Sequence, residues 1–343
     1  MTVRVIQDLD PASWDAFVQA HPEATSYHLC AWRRVIEESF GHCGHYLAAL
    51  DGAGQVAGVL PLVHMKSRLF GNFLVSMPFM NYGGLLLANQ EAQVPLLEAA
   101  DRLRRDLGAD YVELRHLDFE VPGLATRRHK VTMMLRLATD VESQWAALHF
   151  KLRNHIRKAQ KNGLTAVFGG VELLDGFYDV FAHNMRDLGT PVYARSFFHN
   201  VLTTLPESTR LFAVRHQGMI IAAGLVSRHR DTLEIPWSSS LVQYRPLCAN
   251  NLLYWEAISW AISEGCSYFD FGRSTPDEGT FNFKKQWGAV PVPLAWQYLM
   301  PKDARLPDLG PKSPKYQAAI RVWKRLPVRI TRILGPAIVR NIP

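Results

Sequence analysis

The chain has 343 residues, 48% hydrophobic and 20% charged, a composition that excludes a disordered or fibrous protein and, at roughly 150 residues per domain, leaves room for two cores. Its 38 Lys and Arg against 31 Asp and Glu give a formal charge of +7, but from Lys302 to Pro343 there are 10 basic and 2 acidic residues, leaving 28 (38 less 10) and 29 (31 less 2) elsewhere. A near-neutral globular body therefore carries a basic tail.

The first residues lack the basic segment and uninterrupted apolar stretch of a secretory signal, so a cytoplasmic protein is expected. Leu69 to Leu87 is apolar but interrupted by Gly71, Asn72, Pro78, Asn81, Gly83 and Gly84, whereas a spanning helix needs about 20 predominantly apolar residues. A buried strand followed by a Gly-rich loop is expected there. Cys30, Cys43, Cys248 and Cys266 show neither C-x-x-C spacing nor the density of a disulfide scaffold, and are expected to be reduced and mostly buried. His42 and His45 flank Cys43 without a second ligand group at a recognisable spacing, so no metal site is expected. Neither a Gly-x-Ser-x-Gly nor a Walker pattern occurs.

In chain order, apolar spacings of three and four predict helices at about 11–20 and 28–40, and short apolar runs predict strands at 46–50, 55–64 and 72–77. A helix over 90–107, with Val94, Leu97 and Leu103 among its apolar positions, and a strand at 110–115 complete the first half. The second half repeats this plan: helices over 142–161 and 174–188, a further helix at 195–205, strands at 210–215, 219–228 and 232–239, a helix over 250–264, and a strand at 268–271. Two local matches support a duplication. The turn and strand beginning at Asp51 resemble those beginning at His216, and Gly108-Ala-Asp-Tyr-Val-Glu-Leu resembles Gly265-Cys-Ser-Tyr-Phe-Asp-Phe, at offsets of 164 (Gly54 to Gly218) and 157 (Tyr111 to Tyr268).

Three segments carry chemistry. The first is Tyr268-Phe-Asp-Phe-Gly-Arg-Ser-Thr, followed by Gly279-Thr-Phe-Asn-Phe-Lys-Lys-Gln-Trp-Gly288. Strand alternation puts Tyr268, Asp270 and Gly272 on one face, with Asp270 expected at the strand's carboxyl end and Arg273 and Ser274 in the mouth. The carboxylate orients an amine or pairs with Arg273 or Lys284; both readings stand. Lys284 follows Phe281 and Phe283, and a poorly screened cation there would stabilise the oxyanion formed when an amine attacks an ester or thioester carbonyl. The second is Lys151 to Gly163, in which Trp145, Leu148, Leu152, Ile156 and Ala159 form a buried stripe. Arg153, Arg157 and Lys161 recur at i, i+4 and i+8 beside Asn154 and Lys158, with no Asp or Glu between Ser143 and Val171. Like charges at this spacing repel by a few tenths of a kcal/mol, so the face binds phosphates or is merely solvated. The third is Ser76-Met-Pro-Phe-Met-Asn-Tyr-Gly-Gly84, a loop lining a cleft or a plain connection, with Asn81 and Tyr82 as substrate contacts. Tyr193 is a further contact candidate.

The order two helices, antiparallel meander, helix and strand resembles the GNAT acyltransferase fold, and two such units in tandem resemble the FemAB family. Asp-Phe-Gly with Phe-Lys-x-x-x-Gly, the Ile-Arg-Lys-Ala helix and the Pro-Phe to Gly-Gly loop are similar to that family's motifs. The resemblance implies an α/β (α+β) chain of two tandem GNAT-like domains, 1–135 and 136–301, plus a basic amphipathic tail, 302–343. It implies an aminoacyltransferase or N-acyltransferase acting on an amine of a cell-envelope or exopolysaccharide precursor, including the FemAB-like proteins of PEP-CTERM systems. Lys284 and Asp270 would be catalytic, and Arg153, Arg157, Lys158, Arg273, Ser274, Tyr82, Tyr193 and Asn250 would bind substrate. The acyl donor is a co-substrate, not a resident cofactor. CoA enzymes of the superfamily hold pyrophosphate on small residues at the start of the helix after the fourth strand, where this chain has Arg245-Pro-Leu-Cys-Ala-Asn250; Pro246 also removes a donor. That departure favours aminoacyl-tRNA over acyl-CoA. A non-catalytic scaffold of a polysaccharide export system is the alternative of another class.

In the tail, Pro314 opens a helix with Tyr316, Ile320, Trp323, Leu326 and Ile330 at spacings of three or four. Basic residues lie around the rest of its axis, Pro327 kinks it or starts a second piece, and that piece is expected to end at Gly335-Pro336. The tail is expected to lie on an anionic membrane surface through residues 312–343, peripheral to the inner face; packing on the body and tRNA contact are the alternatives.

Overall fold

The repeat read from the sequence rests on matching glycine corners. In the computed structural model, which describes residues 3–68, 70–301, 303–306 and 314–343, Gly54 and Gly218 have φ of 80° and 82° at tight turns between strands, and Gly108 and Gly265 have φ of 61° and 76° after a helix. Such backbone favours glycine, so the two halves need the same residue at the same corners.

The elements in chain order are β1 (Arg4–Gln7), α1 (Pro11–Ala20), α2 (Ala31–Phe40), β2 (Cys43–Leu50), β3 (Val56–Ser67), β4 (Gly71–Val75), β5 (Leu86–Leu87), α3 (Gln93–Asp106), β6 (Val112–Leu117) and β7 (Ala125–Arg136). They continue with α4 (Val141–Ala147), α5 (Phe150–Lys161), β8 (Thr165–Gly169), α6 (Leu174–Leu188), α7 (Arg195–Thr204), β9 (Thr209–His216), β10 (Met219–His229), β11 (Thr232–Ser240), α8 (Ala249–Ser263) and β12 (Tyr268–Ser274). The last are α9 (Gly279–Lys285), β13 (Val290–Leu299), α10 (Pro314–Trp323) and α11 (Val328–Val339). Among the described residues no helix is long and apolar enough to cross a membrane.

The chain forms two units, one of residues 1–131, 292–308 and 341–343 and the other of 132–291 and 309–340. These are not the contiguous segments 1–135 and 136–301 expected from the sequence, because the strand after α9 returns to the first unit. In that unit the strand order is β1-β2-β3-β4-β6-β13: β1 to β4 antiparallel, β4 and β6 parallel across α3, and β13 antiparallel to β6. Leu96 and Ala100 of α3 pack on Leu47, Leu60, Leu62, Leu74, Val112 and Leu114. Val94, expected on this face, is 58% exposed, because the helix proper starts at Gln93 after a short 3-10 turn and its phase is set from there.

The second unit repeats the topology as β12-β11-β10-β9-β8, with the 132–136 end of β7 beside β12, β8 to β11 antiparallel and β11 and β12 parallel across α8. Its core includes Phe177, Phe197, Phe198, Phe212, Leu253, Phe269 and Phe271, all buried. The single helix expected over 142–161 is two. Extended backbone at Leu148 and His149 separates α4 from α5, and the His149 imidazole accepts the Lys151 N–H at 3.3 Å as the N-cap; a side chain that satisfies the first turn's N–H groups favours a helix start over continuation. Only Cys266 of the four free cysteines is buried; Cys43 is exposed, since it opens a strand at the sheet's margin.

Of the tail, residues 302 and 307–313 and the side chains of 314–316, Tyr316 included, lie outside the described residues. α11 is not a free helix. Thr331, Gly335 and Val339, at i, i+4 and i+8, are buried; Arg332 hydrogen-bonds Asp179 on α6 and lies 5.2 Å over the Tyr178 ring. Arg186 of α6 donates to Leu326 O at 3.3 Å. The helix runs through Gly335-Pro336 rather than ending there, and Gly335 is required by a close approach: a Cβ would stand 2.8 Å from the Val192 amide nitrogen. Gly335→Val is therefore expected to cost about 1–3 kcal/mol by overpacking, read as a lowered midpoint in thermal unfolding, whereas Ile333→Ser, at a side chain 77% exposed, should leave the midpoint within error.

Candidate active site

In the second unit β11 and β12 are paired at Thr232 with Tyr268, Leu233 with Phe269 and Glu234 with Asp270, although β11 runs on to Ser240 and β12 to Ser274. Pro236, which has no N–H to give either neighbour, lies just past the last pair, and the β10–β11 register also shifts there. The strands part with two buried carboxylates, Glu234 (4% exposed) and Asp270 (0%), side by side at the last paired position.

Asp270 is thus in mid-strand, not at the strand's carboxyl end as the sequence suggested, because β12 extends three residues beyond the expected limit of Phe271. Its carboxylate accepts the Gly272 N–H at 2.8 Å and the Thr132 hydroxyl from β7. Gly272 has φ of 73°, so the strand bends at a glycine. Lys284, on the short helix α9, reaches this bend: its Nζ donates to Gly272 O at 2.8 Å and Arg273 O at 3.0 Å. An ammonium has three N–H groups, and two are committed.

The surroundings explain the electrostatics. Phe271, Phe283 and Trp287 group around the Tyr254 ring at 5.2, 5.3 and 6.1 Å, and Lys284 is only 7% exposed. Burial lowers its pKa from 10.5 to about 8, opposed by the attraction of Asp270 and Glu234 and reinforced by Arg273. Below about pH 8 the ammonium remains charged in a setting where water does not screen it. The Tyr254 hydroxyl, 2.7 Å from Ser238 Oγ on β11, is pushed up to about 12 by burial and stays protonated. Ser274 Oγ is buried without a protein partner.

The structure brings together Asp270, Lys284, the Arg273 carbonyl and Ser274. Other expected residues stand elsewhere. Arg157 is exposed with its guanidinium 5.4 Å over the Trp145 ring; Lys158 is exposed, and Arg153 is half-buried on the same helix α5. Asn250 lies in the first turn of α8, whose N-cap, Cys248 (φ 61°), makes no side-chain capping bond. Tyr193 packs among Phe181, Phe197 and Phe198, and its backbone carbonyl accepts the Tyr178 hydroxyl at 3.0 Å. Tyr82 belongs to the first unit, 3% exposed with its ring against Tyr27. Thr132, Glu234, Ser238 and Tyr254 escaped the sequence reading. Thr132 is 138 residues from its partner and left no local signal, but a lone Glu in the apolar run Leu233-Glu-Ile could have marked Glu234.

The first unit handles the same parting differently. Beyond the β4–β6 pairs, Ser76 N donates to Glu113 O and Arg115 N to Ser76 Oγ, both at 2.8 Å; Arg115 Nη1 donates to Met80 O and Gly83 N to Arg115 O, both at 3.0 Å. A buried Arg115–Glu113 ion pair at 2.7 Å lies beside these bonds, so backbone of the Ser76 to Gly84 loop occupies the parting in its own unit.

Residues 149–285 match the family model of the acetyltransferase (GNAT) domain. With the repeated topology, this defines the class: a FemAB-like tandem arrangement of the GNAT acyltransferase fold. Among solved structures, FemX superposes with a TM-score of 0.68 at 16% identity, covering 87% of this chain and 98% of that one. The C-terminal domain of a candidate lysylphosphatidylglycerol synthetase from Agrobacterium fabrum gives 0.57 at 12%, covering 84% and 91%. A tandem GNAT protein from the clavulanic acid biosynthesis pathway gives 0.55 at 12%, covering 88% and 100%. At these identities the likeness is one of fold. No curated protein matches the chain in sequence.

The folded protein releases the Lys284 proton near pH 8, the unfolded chain near 10.5. The desolvation penalty is therefore full below pH 8, and this group adds stability as pH rises through that window. In urea unfolding, the stability difference between wild type and Lys284→Met should climb in favour of wild type from pH 8 to 10.5; a flat difference would show an ordinary, solvated lysine.

Proposed function

We propose that the chain is an acyltransferase that moves an aminoacyl or acyl group from an activated carrier to an amine of a cell-envelope or exopolysaccharide precursor. The observation that carries this reading is the buried Lys284 ammonium at the bend of β12, with two N–H groups tied to carbonyls and one left for a ligand. Attack of an amine on an ester or thioester carbonyl puts negative charge on the carbonyl oxygen, and a preorganised donor in a water-poor site lowers that barrier. Asp270, fully buried, holds the Gly272 amide and so sets the carbonyl that holds Lys284; its role is to position rather than to take up the amine's proton.

The carrier favoured is aminoacyl-tRNA, and the acceptor a sugar-nucleotide- or lipid-linked precursor whose phosphates meet Arg153, Arg157 and Lys158. A lipid-linked acceptor would place the protein on the inner face of the membrane, a reading consistent with the lysylphosphatidylglycerol synthetase domain of similar fold. Arg273 and Ser274 stay in the reading beside Lys284, whereas Tyr193 and Tyr82, engaged in aromatic packing, are given no substrate contact. A second reading, acyl-CoA as donor, is favoured by one observation: the first turn of α8 around Asn250 has no side-chain cap, and an uncapped helix start suits a diphosphate.

Thermal shifts with acetyl-CoA, a UDP-linked precursor and aminoacyl-tRNA separate the donors, since a ligand at 100 times its Kd stabilises by about 2.7 kcal/mol. Stabilisation by tRNA and not by acetyl-CoA is expected; the reverse selects the CoA reading. With the donor in hand, Lys284→Ala should lower kcat by about two to three orders of magnitude with little change in acceptor KM, and wild-type turnover should fall above about pH 8 as the ammonium loses its proton. An unchanged kcat would remove Lys284 from the chemistry, and no turnover by wild type with any of the three donors would leave the scaffold reading.

A further inference from the structure

α11 is apolar on two opposite sides. Thr331, Gly335 and Val339 face the body, while Ile330, Ile333 and Leu334 are 41%, 77% and 46% exposed, at the i, i+3, i+4 spacing of a single stripe. Val322 at the end of α10 is 62% exposed as well. A soluble helix docked by one face ordinarily carries charge on the other. Here the charges border the stripe instead: Arg329 beside it, Lys324 and Arg325 in the turn before α11, and Arg321 on α10, all exposed. From Pro314 to Pro343 there are seven basic residues and no acidic ones.

We propose that this docked α10–α11 platform is a rigid membrane-seating face, which inserts the Ile330, Ile333, Leu334 ridge into the headgroup boundary of an anionic bilayer while its inner face stays on α6. An aliphatic ridge flanked by arginines is the chemistry of an interfacial helix. RNA fits it poorly, because single strands bind aromatic stacking platforms and this ridge offers only aliphatic side chains. A second copy fits it poorly too, since a two-fold contact through the ridge would press the exposed Arg321, Lys324, Arg325 and Arg329 of two copies together. The inference extends the inner-face placement proposed above. It differs from a flexible tether, because Arg332 with Asp179 and the Gly335 contact at Val192 fix the ridge to the unit that holds Lys284.

The test is co-sedimentation of the full chain with phosphatidylcholine vesicles and with vesicles containing about 30% phosphatidylglycerol. Binding is expected only to the second, weakened by added salt, and about tenfold weaker in Ile333→Glu/Leu334→Glu, a variant that should melt with wild type because both side chains are exposed. Arg325→Gln/Arg329→Gln should weaken binding and flatten its salt dependence. Unchanged binding of the Ile333→Glu/Leu334→Glu variant would overturn the proposal. So would retention on poly(U) without vesicle binding, or a dimer in light scattering that the same substitutions dissolve. Turnover of a soluble acceptor is read separately, so failure on vesicles and failure of the transferase reading are distinguishable.

Discussion

The arrangement at the end of β12 hangs on one hydrogen bond, from the Gly272 N–H to the Asp270 carboxylate. It joins a carboxylate that cannot be left unpaired in a dry interior to a glycine in backbone geometry that other residues resist. Thr132 completes the carboxylate's shell from β7, and Gly272 in turn presents the carbonyl on which Lys284 rests. Remove the carboxylate and the bend loses its reason, the carbonyl loses its place, and the ammonium loses both its seat and the stronger of its two countercharges. The depressed pKa of Lys284 follows from the same geometry: aromatic neighbours exclude water while Asp270 and Glu234 keep the charge tolerable.

The two units differ at the parting of their parallel strands. Both have a meander of antiparallel strands, a crossover helix and a parallel strand whose pairing stops early. In the first unit the chain following β4 turns back and satisfies β6 with its own Ser76, Met80 and Gly83, and an internal Arg–Glu pair is sealed in. In the second, Pro236 parts the strands and a lysine from a short helix occupies the bend. A duplicated fold has kept its frame in both halves, with backbone filling the parting of one and an ammonium at that of the other.

Much of the fold was legible because its signals are local. Gly54, Gly108, Gly218 and Gly265 mark corners, and the strands between them carry short apolar runs. What escaped depends on distant partners. β7 pairs with β12 and β13 with β6, partners far away in sequence, and the α4–α5 break rests on a histidine acting as a cap. Lys284 and Asp270 were visible through their motifs. Their connection through Gly272 was not, nor was the settled nature of Asp270, since burial and a partner 138 residues away cannot be read from spacing. Tyr193 and Tyr82 misled for the opposite reason: an aromatic beside a loop looks available until the ring is seen to be packed.

Lys284 is a desolvated ammonium held at the bend of β12. Heteronuclear NMR of lysine side chains in the intact protein measures it directly, with the Lys284→Met variant assigning the resonance. A titration midpoint near 8 is expected, together with an Nζ group whose protons exchange slowly enough to be seen. A Lys284 resonance that titrates near 10.5 with the other lysines, its protons lost to fast exchange, would contradict it.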